Sequence, residues 1–244
     1  MRVAFISDTH GNLLALEAVL RELEHESFDR LVCLGDIAVG PQPHETIARV
    51  RELGCPVIMG NWDAWFLEGM PRVQPEDEVG HRLVEIGAWW ADGLTDEDRD
   101  FLSSFESLLE LPLSGGGTML CFHGSPRSYN DWIFATTPDE EVAQMLAGRS
   151  ATVFVGGHTH LQMVRRIEGS VMVNPGSVGL PFRQWWPKEV RIAPWAEYGL
   201  VAVDDGKVSI DLHRTTFDVK ALLELASESG MPHAEWWAES WTGE

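Results

Sequence analysis

Five short apolar segments in this chain each run straight into residues of the types that can ligate a metal. Residues 2–6 lead to Asp8-Thr9-His10, 31–34 to Gly35-Asp36, and 56–59 to Gly60-Asn61-Trp62-Asp63. Residues 118–122 lead to His123-Gly124, and 152–155 to Gly156-Gly157-His158-Thr159-His160. Between the first three segments lie helical stripes, one through Leu13, Leu16, Val19, Leu20 and Leu23, and one over 43–53 carrying Ile47, Val50 and Leu53. Strand, helix, strand, helix, strand predicts an α/β fold with a parallel sheet and crossover helices. Side chains that begin where such strands stop can converge at one sheet edge. The neighbouring glycines let the backbone turn sharply there.

Each piece alone has an ordinary reading. Asp8 and His10 could cap the first helix, Gly35-Asp36 could be a plain turn, and Asn61 and Asp63 could be turn or capping residues. A histidine after a strand, such as His123, is commonly just hydrogen-bonded. His158 and His160, two residues apart, are a stronger pair. At five successive strand ends, the functional reading prevails over coincidence. The set holds carboxylates, one amide and imidazoles without a thiolate. It suits Mn²⁺, Fe²⁺, Zn²⁺ or Ni²⁺ better than a structural zinc cage or a calcium site.

Charge narrows the function further. With 18 Lys and Arg against 38 Asp and Glu, the formal net charge is −20. Non-specific nucleic-acid binding, which rests on neutralising phosphates with basic side chains, is not expected. An acidic protein that handles phosphate needs positive charge from elsewhere, and metal ions supply it. No apolar run reaches the length of a membrane span. The N-terminus reads as a first strand rather than a signal peptide, so the expected location is cytoplasmic. The scattered Cys33, Cys55 and Cys121 read as reduced thiols.

Residues 62–108 carry helical spacing with few strand signals and read as a helical cap insertion, including a helix over 95–104 with Thr95 as N-cap. Thr137-Pro138-Asp139-Glu140 reads as a capped helix start. Alternating segments at 162–167, 171–173, 198–203 and 207–213 predict a largely antiparallel second half, with Asp205-Gly206 as a hairpin turn. The expected organisation is a single domain over 1–244, with the cap at about 62–108 and a Trp-rich tail at about 230–244.

Together, Asp8-x-His10, Gly35-Asp36, Gly60-Asn61-x-Asp63, His123 and Gly157-His158-x-His160 resemble the calcineurin-like metallophosphoesterase superfamily. Asn174-Pro175-Gly176-Ser177-Val178-Gly179 resembles its prokaryotic phosphodiesterase branch, which includes diadenosine-tetraphosphatase-related proteins. The resemblance runs from residue 1 to about 218. It implies a four-layer α/β/β/α sandwich and two divalent ions, Mn²⁺ foremost. Asp8, His10, Asp36 and His160 would hold one ion, and Asp36, Asn61, His123 and His158 the other, with Asp36 shared. The implied reaction is hydrolysis of a phosphodiester or phosphoanhydride by in-line attack of hydroxide made available at the ions.

One position departs from the family pattern. Many members have histidine where this chain has Trp62, and there it is thought to protonate the leaving oxygen. An indole N–H donates a hydrogen bond but is not an acid near neutral pH. Substrates with good leaving groups are therefore expected, with Asp63 in a supporting role. Trp62 reads either as a wall of the site or as the first core residue of the cap.

Substrate contacts are open. Asn61 could meet substrate as well as metal. Arg127 could reach a phosphate or form a surface ion pair, and Asn12 reads as a helix N-cap. Arg183 lies in the aromatic and basic stretch Pro181–Lys188, which could stack a base or pack on the cap. Trp236, Trp237 and Trp241 could cover the protein's own core or form a homo-oligomer interface. The expected partner is a small phosphate ester such as a nucleotide. Two alternatives remain: a non-catalytic metal-binding scaffold on the same fold, and a protein or monoester phosphatase, which Trp62 disfavours.

Overall fold

Val3 and Phe5 point to one side of strand β1 (Arg2–Ile6) and Ala4 and Ile6 to the other, and all four are buried. A strand apolar on both faces must lie between two layers. The computed structural model, which describes residues 1–74, 76–184 and 190–241, places it so. β1 pairs in parallel with β2 (Arg30–Cys33) and antiparallel with β10 (Trp195–Asp204), which continues to β11 (Lys207–Thr216). The register sets Ala4 opposite Leu31 and Ile6 opposite Cys33. The turn between β10 and β11 is Asp205-Gly206, with φ of 47° and 75°, the left-handed pair that a two-residue hairpin demands.

A second sheet runs β3 (Leu109–Pro112), β4 (Thr118–Cys121), β5 (Val153–Val155), β7 (Ser170–Asn174), β6 (Met163–Ile167), with β4, β5 and β7 mutually parallel. Met119, Cys121, Val153 and Val155 face the first sheet and pack with Phe5, Val32 and Leu34. Leu120, Phe122 and Phe154 face outward, under helix α6 (Asp139–Met145) through Val142. On the other side, α1 (Leu13–Leu23) and α2 (Pro43–Leu53) cover the first sheet. The result is the expected α/β/β/α sandwich. Strands β8 (Phe182–Gln184) and β9 (Arg191–Ile192) form a small separate hairpin.

Helices α3 (Asn61–Glu68), α4 (Glu78–Gly93) and α5 (Asp96–Ser103) fill the stretch before β3. Phe66, Ile86, Trp90 and Leu102 join the same apolar cluster as α1 and α2. Thr95 and Asp98 make a reciprocal capping box at the start of α5. Helices α7 (Val219–Glu228) and α8 (Ala234–Glu239) follow β11, and Trp237 and Trp241 are buried in that same cluster. No helix among the described residues is long and apolar enough to cross a membrane.

Two local expectations are corrected. Residues 56–59 do not make a full strand: Val57 bridges Cys33 and Ile58 bridges Glu106, one residue each. Asn61 opens α3 directly after Gly60 and carries the chain away from the sheet. Nor does Thr137 cap α6, whose N-cap is Pro138. Standing one residue too early, the Thr137 hydroxyl accepts the Phe134 N–H at 2.9 Å.

Candidate metal centre

Because β1 and β2 are parallel, as are β4 and β5, their C-terminal ends lie at common edges, and the loops that follow meet between the sheets. The Gly157 N–H donates to the His123 carbonyl at 2.8 Å, and the Val178 N–H to the Ser7 carbonyl at 2.9 Å. Asp8, His10 and His160 then form one group, and Asp36, His123 and His158 a second; within each, the ligand atoms lie within 4.8 Å of one another. All six residues are buried. Asn61 joins the second group, its Oδ1 3.1 Å from His123 Nε2. All seven candidates named above are thus brought together.

The backbone is strained to achieve this. Asp8, His10, Asp36, His158 and His160 have φ between 45° and 67°, in the left-handed region. They are half of the ten such non-glycine residues described, so strain is concentrated at this site.

Hydrogen bonds aim the side chains. The Asp8 Oδ2 atom accepts the Ser7 hydroxyl and the His158 N–H, leaving Oδ1 toward the histidines. Asp36 Oδ1 accepts the Trp62 N–H at 2.9 Å, while Oδ2 stands 3.5 Å from His123 Nε2 and 3.9 Å from His10 Nε2. His123 Nδ1 meets the Leu34 carbonyl at 2.7 Å and His160 Nδ1 the Leu180 carbonyl at 2.8 Å. A carbonyl can only accept, so each Nδ1 carries a hydrogen, and it is the neutral ring that presents an Nε2 lone pair.

These lone pairs test the fit of a cation. His10 Nε2 and His160 Nε2 approach to 3.0 Å, and Asp8 Oδ1, His10 Nδ1 and His158 Nε2 are buried without a hydrogen-bond partner. Unsatisfied buried polar atoms are costly. A nitrogen and oxygen donor set that converges with unshared pairs fits a divalent ion of the borderline or hard type.

Electrostatics follow the same geometry. Burial, then His160, pushes the His10 imidazolium down to about 4. Burial, then His123, pushes His158 down to about 3. For His123, burial is outweighed by Asp36, which raises it to about 9. For Asp8, burial is outweighed by His160 and the other imidazoles, which hold the carboxyl well below the usual range. Asp63 is driven up to about 7 by burial and by the Asp36 charge.

Asp63 lies behind the centre. Its Oδ2 accepts the N–H groups of Asp36 and Gly60 at 2.7 and 3.0 Å, and its Oδ1 that of Ile37 at 3.2 Å. The Trp62 ring lines the cavity beside the candidate metal ligands and packs edge-on against Trp65 at 4.9 Å. Arg127 is tied to Asp131 at 2.6 Å and does not line that cavity. Arg183 is on the exposed side of β8, whereas Phe182 faces in and stacks on the His160 ring at 4.6 Å. Trp185, Trp186, Pro187 and Lys188 of the aromatic stretch, and the last three residues of the tail, lie outside the described residues. Asn12 caps α1, accepting the Ala15 N–H at 3.0 Å.

Sequence reading assigned no task to Asn174 and Ser177, which turn out to lock the ligand loops. Asn174 Nδ2 donates to the Gly157 carbonyl at 2.7 Å, and the Ser177 hydroxyl to the Asp8 carbonyl at 2.8 Å. A signal was present: Asn174 ends an apolar segment as the ligands do. Trp132, whose ring is 4.4 Å from that of His158, had no such signal.

Residues 1–192 match the family described as the calcineurin-like phosphoesterase superfamily domain. An uncharacterized protein of Methanocaldococcus jannaschii is 28% identical over 255 residues, covering 97% of this chain and 96% of that protein. The crystal structure of a metallophosphoesterase from Sphaerobacter thermophilus aligns with a TM-score of 0.74 at 25% identity, over 98% of each chain. That of a hypothetical protein from Pyrococcus horikoshii aligns with a TM-score of 0.79 at 21% identity, over 100% of this chain and 98% of that one, a likeness of fold.

Proposed function

The chain belongs to the calcineurin-like phosphoesterase superfamily, and from that membership we propose that it hydrolyses a phosphodiester or phosphoanhydride with two divalent cations, Mn²⁺ foremost. Asp8, His10, Asp36 and His160 would hold one cation, and Asp36, Asn61, His123 and His158 would hold the other. The observation that carries this reading is the convergence of two buried Asp/His groups in which Asp8 Oδ1 and His158 Nε2 have no hydrogen-bond partner. Asp36 supports its shared role, since Oδ2 faces His10 and His123 at once. Bound divalent ions polarise phosphoryl oxygens and make hydroxide available near neutral pH.

The rest is done by the chain's own residues. Asp63 positions Asp36 by holding the backbone on either side of its Cα. Leu34 and Leu180 fix the histidine tautomers. Trp62 closes one wall and excludes water without offering an acid. Substrates with good leaving groups are therefore turned over fastest.

The test is direct. Protein stripped with a chelator is inactive toward bis(4-nitrophenyl) phosphate, recovers on adding Mn²⁺, and binds about two equivalents by elemental analysis. Asp36→Asn lowers the stoichiometry below that of the parent and the rate by roughly a hundredfold or more. A stripped protein that keeps full activity, or a reloaded one that takes up no metal, ends the proposal.

A further inference from the structure

Against the candidate metal centre opens a cavity of about 850 Å³, which His10, Asp36, Asn61, His158 and His160 floor. That volume is in the range that holds a small ligand, and far exceeds one phosphate group. Its walls are apolar. Five of the chain's 11 tryptophans line it: Trp62, Trp65, Trp132, Trp236 and Trp237. Three large hydrophobic side chains among the described residues are exposed, and two of them, Val79 and Leu83, are on this wall. Exposed apolar groups gathered at one cleft mark a ligand contact rather than chance.

Charge sorts the ligands. Among the described residues, no lysine or arginine lines the cavity, and the charged side chains there beyond the candidate metal ligands are Asp77 and Glu239. Arg82 stands over the Trp236 ring, 5.3 Å from its centroid, without joining the lining. A ligand bearing a run of phosphates would place its further negative charges against indole and aliphatic walls, where desolvation disfavours them.

We infer that the substrate is an ester of a single phosphate whose other substituent is a large, uncharged, apolar group, alkyl or aryl, seated between the tryptophans and α4. This rests on the phosphoesterase reading and narrows it. Nucleoside polyphosphates and dinucleoside polyphosphates are disfavoured.

A series of 4-nitrophenyl alkyl phosphates tests the inference, because the leaving group stays constant while the second substituent lengthens from methyl to butyl to octyl. With Mn²⁺-loaded protein, kcat/KM rises about threefold to fourfold for each methylene buried. Leu83→Asp lowers the octyl-to-methyl ratio by at least tenfold, while Val164→Asp, an exposed apolar site outside the cavity, leaves it unchanged. A naphthyl member separates aryl from alkyl preference. An octyl-to-methyl ratio near one overturns the inference, as does a kcat/KM for diadenosine tetraphosphate equal to or above that of the octyl ester. Should no ester be hydrolysed with any metal, the phosphoesterase reading fails on its own. Calorimetry with non-hydrolysable phosphonates then decides the inference: octylphosphonate binding at least tenfold tighter than ethylphosphonate upholds it, and equal affinity overturns it.

Discussion

The Asp63 carboxylate accepts the Asp36 backbone N–H at 2.7 Å and stands behind that residue rather than beside the candidate metal ligands. With Gly60 and Ile37 also donating to it, one buried side chain fastens two of the loops that build the centre.

Asp63→Asn keeps the shape but turns an NH2 group toward backbone donors. At least one buried N–H then loses its acceptor, which costs about 1–3 kcal/mol. For a chain of this size the expected fall in Tm is roughly 2–12 °C. Mn²⁺ affinity falls with it, because Asp36 is no longer fixed. Differential scanning calorimetry and metal titration read the two effects, and an unchanged Tm would remove the positioning role.

Gly60→Ala attacks the same joint from the other side. A Cβ there would lie 2.1 Å from Asp36 Oδ1 and 2.4 Å from its N, so backbone must shift. Strain of this kind costs about 1–3 kcal/mol. The expected variant is folded, less stable and unable to hold a full complement of metal, as elemental analysis after gel filtration would report.

Trp62→His restores the residue type that many family members carry. A histidine there can donate a proton to a departing oxygen, a service worth typically 10²–10⁴-fold for poor leaving groups. Across aryl phosphodiesters of rising leaving-group pKa, the parent's rate falls steeply and the variant's falls less. Parallel slopes would show that proton donation is already provided, or not limiting.

Asp98 gives a pH dependence outside the centre. Burial, which would raise its carboxyl, is outweighed by hydrogen bonds from Thr95 and His44, so it titrates below its ordinary 3.8. Arg51 adds an ion pair at 3.3 Å. A lowered pKa stabilises the fold above the ordinary value, and that contribution is lost as pH falls through the lowered one. The stability gap between the parent and Asp98→Asn should therefore be full near about pH 6 and shrink toward about pH 3 in urea titrations. A gap that widens on acidification would contradict the sign.

Most of the strands and helices, and the residue types that gather at the centre, were legible along the chain, although 56–59 is only bridged rather than a full strand. Val3 to Ile6, Met119 to Phe122 and Val153 to Val155 are apolar on both faces, which buries them as strands. Each ends in a metal-ligand type because strand ends are where a sheet can gather side chains. Asn12 and Thr95 were legible as caps because each side-chain oxygen accepts a backbone N–H only three residues further on. What lay beyond the reach of sequence was every relation between distant segments. The roles of Asp63, Asn174 and Ser177 depend on which backbone N–H or carbonyl the fold carries past them. Arg127 carried an open choice until Asp131 was seen beside it. The cavity joins residues from 10 to 240 and has no local pattern, since its walls are defined by which faces α4, β8 and α8 turn toward one another. Periodicity is written along the chain, whereas convergence exists only once the chain has folded.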